Sequence, residues 1–277
     1  MTKKKKESKA LSHKPKGAKV LIFDIETAPM LGYVWGLWEN NVGLNQVFKD
    51  WHVLSWSAKW LGDAPSKVMY SDQRNVKNIE DDSKLLSGIW KLLDEADVVI
   101  TQNGDSFDVK KLNARFILNG FRPPSSYRRI DTKKLAQKHF NFTSNKLEYM
   151  TDKLCVQYKK LKHTGFQGFD LWKECLAGNI KAWKEMEKYN KYDVLSLEEL
   201  FTKLIPWDNT VDFNLYHNDE ENECKCGSTD FSKNGFYYTA SGKFQKYKCK
   251  DCGSETRDRT NLLSKNKRSS LKNGTVR

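Results

Sequence analysis

The segment Ala18-Lys-Val-Leu-Ile-Phe-Asp-Ile-Glu26 constrains this chain more than any other. It is a short apolar run opened by a basic stretch, and it reads as a buried strand. Successive side chains of a strand point to opposite faces, so Asp24 and Glu26 share one face. Two carboxylates on one face of an otherwise apolar strand are costly to bury unless a positive charge compensates. A divalent metal does so. An exposed strand end with both acids solvated satisfies the same pattern.

The rest of the chain builds a sheet around that strand. Residues 52–58 alternate as a second strand, 67–71 suggest a third, and 97–102 a further one ended by Asn103-Gly104; 129–131 suggest a short one. Helical spacing runs over 79–96, 107–119, 146–156 and 180–204, the last stopping before Pro206. Strands come first and close together, then alternate with helices, and the later part is helical. That order predicts an α/β domain, a mixed sheet flanked by helices, over residues 19–207. Residues 208–223 are polar, carry the acids of 219–223, and read as an acidic linker. The tryptophans from Trp35 to Trp60 could stack on bases, but at strand or helix spacing they read first as core.

Two further signals carry acids. Asn103-Gly-Asp105-Ser-Phe-Asp108 leads into a helix, where Asp108 falls in the first turn and the macrodipole favours an anion. Asp105 reads as the helix cap rather than a ligand. Tyr189 and Asp193 lie four apart and so on one helix face. Local structure explains each of these alone, and their order says more. A strand with D-x-E, an N-G-x-x-F-D turn into a helix, and a late helical Y-x-x-x-D resemble the DEDD exonuclease superfamily, which includes polymerase proofreading domains and ribonuclease D.

The resemblance spans residues 19 to about 205. It implies a ribonuclease H-like fold and 3′-to-5′ exonuclease activity on single-stranded or 3′-ended DNA or RNA. It also implies two Mg²⁺ or Mn²⁺ ions held by Asp24, Glu26, Asp108 and Asp193. Tyr189 matches the tyrosine subtype, whereas the position where the histidine subtype differs is Lys188. Asn190 stands where many tyrosine-type members carry cysteine. The Trp-rich segment looks more like free-standing ribonuclease H-like proteins of bacteria and phages than like replicative proofreaders. Two metals roughly 3.5–4 Å apart stabilise the attacking and leaving oxygens of phosphodiester hydrolysis. Asp24 is then expected to bridge them, with Glu26 and Asp193 on the first and Asp108 acting partly through water. Tyr189 is expected to orient the attacking water, since its reference pKa of about 10 is too high for a strong base. A structure-selective endonuclease on the same fold and a non-catalytic nucleic-acid-binding module are the alternatives. The presence of all four acids and Tyr189 favours an enzyme.

Of six cysteines, four cluster late: Cys224-Lys-Cys226-Gly and Cys249-Lys-Asp-Cys252-Gly. Four thiolates suit one tetrahedral structural Zn²⁺, with no open position for catalysis. The segment resembles the zinc ribbon at the ends of some transposases, which sets the ribbon at residues 224–256. It departs from that pattern in having one residue, not two, between Cys224 and Cys226, which puts Cys224 in question as a ligand. Cys155 and Cys175 stand alone in helical stretches and read as core residues. His139 and His163 have no partner at ligand spacing.

The net charge of +13 sits in two tails, residues 1–18 with Lys19 and residues 257–277, and the chain between them sums to zero. Both tails are expected to be disordered, since they offer little apolar surface to offset ordering entropy. They suit solubility or attraction to phosphate. Lys159, Lys160 and Lys162 fit a solvated loop or a phosphate contact equally well. Lysines of the ribbon favour nucleic acid slightly, and a protein partner through it stays open. No apolar run reaches the roughly 20 residues of a membrane helix, and the lysine-rich start lacks the apolar stretch of a secretory signal. A cytoplasmic location, in a bacterial or phage-infected host cell, is the expectation.

Overall fold

A computed structural model describes residues 14–161 and 165–272. His163 and Lys162 lie outside the described residues, as does most of the amino-terminal tail. The chain forms two compact units, one ending at Leu204 and one beginning at Ile205.

The first unit opens with β1 (Val20–Thr27), a short pair β2 (Leu31–Gly32) and β3 (Val47–Lys49), β4 (Val53–Trp60) and β5 (Met69–Asp72). Then come α1 (Ser83–Glu95), β6 (Val98–Thr101), α2 (Asp108–Leu118) and β7 (Arg128–Asp131). Four helices close it: α3 (Thr132–His139), α4 (Leu147–Leu154), α5 (Asp170–Leu176) and α6 (Ile180–Leu204). The sheet order is β5-β4-β1-β6-β7, with β1 antiparallel to β4 and parallel to β6. This is the expected mixed sheet flanked by helices.

Strand alternation decides what each face of the sheet does. Leu21, Phe23 and Ile25 of β1 join Leu86, Ile89 and Leu93 of α1 and Leu112 and Phe116 of α2 in one core. That leaves Asp24 and Glu26 for the opposite face, which carries α6. Gly88 lets α1 approach closely, because a Cβ there would meet the Trp56 ring at 2.8 Å. On the α6 side, Lys59 is fully buried and its Nζ lies 2.7 Å from Glu198 Oε1. This ion pair fastens the long helix to the middle of the sheet.

Three sequence expectations change here. The helix expected over 79–96 begins only at Ser83, because Asp82 is buried and its carboxylate is taken by Arg115, at 2.7 and 2.8 Å, and by the Val53 N–H. Of the tryptophans read as core, Trp56 is buried, but Trp35 and Trp38 are 100% and 86% exposed. They fall between β2 and β3, outside any strand or helix whose periodicity would turn them inward.

The third change concerns the second unit. It contains β8 (Phe231–Thr239), β9 (Gly242–Cys249), β10 (Glu255–Arg257) and α7 (Lys265–Ser270), the strands forming a sheet of order β10-β9-β8. Residues 208–223, read as a linker, hold a helical turn at Phe213–Tyr216 with Val211 and Phe213 buried. The Asn214 side chain bonds both the N–H and the C=O of Glu223. Residues 257–272, read as disordered, carry the end of β10 and α7. Their backbone is held by Asp258 N–H to Gln245 O and Leu262 N–H to Lys243 O. Hydrogen bonds to the open side of β9 supply what the low apolar content does not.

Candidate metal centre

Three carboxylates converge where α6 crosses the polar face of β1. One oxygen each of Asp24, Glu26 and Asp193 lies within 4.8 Å of the others. Each is held by a neighbour. Asn190 Nδ2 donates to Asp24 Oδ2 at 2.6 Å, and Ser55 Oγ donates to Asn190 Oδ1 at 3.3 Å. Trp172 Nε1 donates to Glu26 Oε2 at 3.2 Å. Asn190 is therefore a positioning residue for Asp24, a role its place in the Tyr189–Asp193 turn did not announce.

Asp108 behaves differently from the other three. It begins α2 as expected, but its Oδ1 accepts the Ile25 N–H at 3.2 Å, and its oxygens are not among the converging set. Its charge still raises the pKa of Asp24. Asp105 is not the cap of α2. It pairs with Arg129 and Lys134, at 3.1 and 2.7 Å, and the α2 N-cap position is Phe107 with no side-chain bond. The turn is instead held by Asp131, which accepts the Asn103 and Asp105 N–H groups and caps α3. Asn103 has φ of 66°, and a Cβ on Gly104 would meet Thr101 Oγ1 at 2.2 Å, so the Asn-Gly pair suits this bend.

Lys160 is the residue that sequence reasoning left undecided. Its Nζ lies 2.7 Å from Asp193 Oδ2 and 4.5 Å from the Tyr189 ring centroid. Glu199 of α6 accepts the N–H groups of Val156 and Tyr158, which fixes the segment leading to it. Burial disfavours the Lys160 charge, but the Asp193 carboxylate bonded to it, together with Asp24, more than offsets this and keeps it protonated. The only signal in the sequence was a cluster of lysines ahead of α6.

The electrostatics record a deficit of positive charge. Burial, then Asp108, Asp193 and Glu26, push Asp24 well above the carboxylate range. Burial, then Asp193, push Glu26 up to about 8. Burial raises Asp108 to about 7, against hydrogen bonds from backbone N–H groups. Asp193 is also raised by burial, though Lys160 and Tyr189 oppose this. Among the described residues, none donates a hydrogen bond of good geometry to the buried Asp193 Oδ1. Four carboxylates beside one lysine would carry three excess negative charges if all ionised. The donor set, the buried Asp193 oxygen and the deficit all fit divalent cations. Burial and Asp193 push the Tyr189 hydroxyl above its usual range, so it stays protonated at neutral pH.

A cavity of about 370 Å³ lined by Thr27, Ala28, Pro29, Phe169 and Trp172 adjoins Glu26 through Trp172. A second, of about 490 Å³, is lined by polar and basic side chains including Lys133, Lys146 and Lys160.

In the second unit Cys224, Cys226, Cys249 and Cys252 form one group that could hold a metal ion. The Cys224–Cys252 and Cys226–Cys249 sulfur distances are 3.4 and 3.6 Å. A disulfide needs about 2.05 Å, whereas the edge of a tetrahedron of thiolates at about 2.3 Å from zinc is roughly 3.8 Å. The single-residue spacing does not keep Cys224 out. Gly227 and Gly253, at φ of 85° and 76°, close the two turns. Hydrogen bonds from Cys224 and Cys226 lower Cys252 to about 4, while hydrogen bonds to Cys226 and Cys252 push Cys224 far up, so Cys252 is the first thiolate of the group. Cys155 and Cys175 are buried packing residues whose thiols burial pushes up to about 12. His139 lies half-buried against Phe140.

A sequence model of the RNase H superfamily matches residues 61–205. No curated protein matches the chain. Among solved structures, the chain is similar to the family B DNA polymerase from the hyperthermophilic archaeon Pyrobaculum calidifontis. Identity is 17% over 69% of this chain, with a TM-score of 0.49. The chain spans 25% of that polymerase's length. Among the described residues, no helix is long and apolar enough to cross a membrane.

Proposed function

The chain belongs to the RNase H superfamily, and on that premise we propose that it is a metal-dependent nuclease removing nucleotides from the 3′ end of DNA or RNA. The observation that carries this reading is the meeting of the Asp24, Glu26 and Asp193 carboxylates on the polar face of β1. Asp24, Glu26 and Asp193 would hold Mg²⁺ or Mn²⁺, with Asp108 beside them as the fourth acid of a tyrosine-type DEDD site. Bound divalent ions supply the positive charge that stabilises the attacking and leaving oxygens of phosphodiester hydrolysis.

The chain's own residues do the rest. Asn190 and Trp172 fix the orientation of Asp24 and Glu26. Tyr189, protonated at neutral pH, donates a hydrogen bond and positions the attacking water rather than taking its proton. Lys160 adds a fixed positive charge next to Asp193, where the scissile phosphate needs one. The apolar cavity at Trp172 suits a terminal base, and the basic cavity at Lys160 suits the phosphates behind it. The four cysteines of the second unit would hold one structural Zn²⁺ in a ribbon similar to those of transposases.

The test uses end-labelled single-stranded DNA and RNA, with and without Mn²⁺, beside a 3′-blocked strand and a circular strand. Stepwise shortening of open strands alone is expected. Cleavage of the circle would replace exonuclease by endonuclease, and no metal-dependent cleavage of any strand would overturn the reading.

A further inference from the structure

The hairpin of β8 and β9 carries aromatic side chains that its own unit does not use. Phe236 and Tyr238 are two apart on β8 and so share a face; they are 42% and 65% exposed, with ring centroids 6.5 Å apart. Lys243, opposite Tyr238 in the register, holds its ammonium 3.9 Å from the Phe236 ring centroid. On the other face Arg257 lies over Phe244 and Tyr237, at 4.1 and 5.1 Å, and Tyr237 stays 46% exposed. Burying aromatic rings stabilises a small unit, so three consecutive rings left largely in water, two of them paired on one face, point to an external partner.

The charge around them selects that partner. Residues 224–272 contain twelve lysines and arginines against four acids, a net +8. A neutral apolar partner would gain nothing from this field, whereas a polyanion that also presents flat rings satisfies both features. We propose that this face of the β8–β9 hairpin binds single-stranded nucleic acid, with bases stacked on Phe236 and Tyr238 and a phosphate neutralised by Lys243. Its residues belong to the second unit, whereas the metal centre is built from the first. It goes beyond the nuclease reading, because occupancy is measured without cleavage.

The experiment measures fluorescence anisotropy of labelled 20-mers of thymidylate and of uridylate, and of an abasic 20-mer of equal charge. They bind the full-length chain in buffer without added magnesium or manganese. Variants are Phe236→Ala/Tyr238→Ala and the conservative Phe236→Tyr/Tyr238→Phe. Both positions are exposed, so truncation opens no core cavity, and unchanged zinc content verifies the fold of the unit. Stacking is worth about 1–3 kcal/mol per base, which sets the expected loss at fivefold or more per ring. The loss should appear on thymidylate, uridylate or both, identifying the sugar accepted. The abasic strand should bind both proteins alike, and the conservative variant should retain affinity. Unchanged binding of both base-bearing strands would overturn the proposal in favour of a protein partner. An equal loss on the abasic strand would overturn it in favour of a charge effect. A chain devoid of nuclease activity could still pass, so the two readings fail separately.

Discussion

In the absence of divalent metal, the stability of the first unit should fall as pH rises from about 4.5 to about 8. One cause, separable by mutation, is Glu26, whose carboxyl is pushed up to about 8 by burial and by Asp193. A raised carboxyl pKa means that the folded state binds the proton more tightly than the unfolded chain. The corresponding stability is fully present below the unfolded pKa and is lost as pH climbs through the folded one. At about 1.36 kcal/mol per pKa unit, a fully dry carboxylate would lose about 5 kcal/mol. Glu26 is only partly buried, and water relaxing around it brings the expected loss nearer 2 kcal/mol. For a unit of this size that is about 4–8 °C in Tm. Eight of the nine tryptophans precede Leu204, so fluorescence-detected melting reports this unit. The assay compares wild type with Glu26→Gln at pH 5.5 and 8.5 in metal-free buffer. The wild type should lose stability relative to the variant at the higher pH. Millimolar Mg²⁺ or Mn²⁺ should recover more of it in the wild type than in the variant, since an ion stabilises the ionised acids it binds. Parallel pH profiles for the two proteins, or equal metal effects on both, would refute the reasoning.

Further expectations follow from single contacts. Asp24→Ala or Asp193→Ala should remove nearly all hydrolysis with an unchanged circular dichroism spectrum, and wild-type rates in either would sink the assignment of the acids. Tyr189→Phe should be milder than either, because it removes a hydroxyl and leaves every carboxylate in place; an equally dead variant would require a role in metal binding or folding. Elemental analysis should find about one zinc per chain, lost in Cys249→Ser/Cys252→Ser; a metal-free wild type that is folded would refute the thiolate site. Lys59→Ala should cost about 3 kcal/mol by leaving Glu198 without its cation, and Lys59→Met/Glu198→Gln should regain most of it. Equal Tm values for the wild type and Lys59→Ala would show that the pair does not fasten α6. Gly104→Ala should cost about 1–3 kcal/mol, read as a shift in denaturant midpoint, because its Cβ would run into Thr101.

Much of the centre was legible without coordinates, for a local reason. A strand's period of two puts Asp24 and Glu26 on one face, and a helix's period puts Tyr189 and Asp193 on another. The paired cysteines with following glycines likewise announced a thiolate group, and the strand-then-helix order announced a mixed sheet. These patterns are written within a few residues, so they survive without knowledge of what packs against them. Partners distant in the chain were not legible. Lys160 reaches Asp193 across 33 positions, and Asp82 takes Arg115 across another 33. The turn of Asp108 onto the Ile25 N–H spans 83. Nor did periodicity tell that Trp35 and Trp38 stay in water, or that residues 257–272 dock by backbone hydrogen bonds despite their charge. Face and element type are properties of local backbone geometry. The identity of the neighbour, and with it the charge balance that raises Glu26, came into being only when α6 was laid across β1.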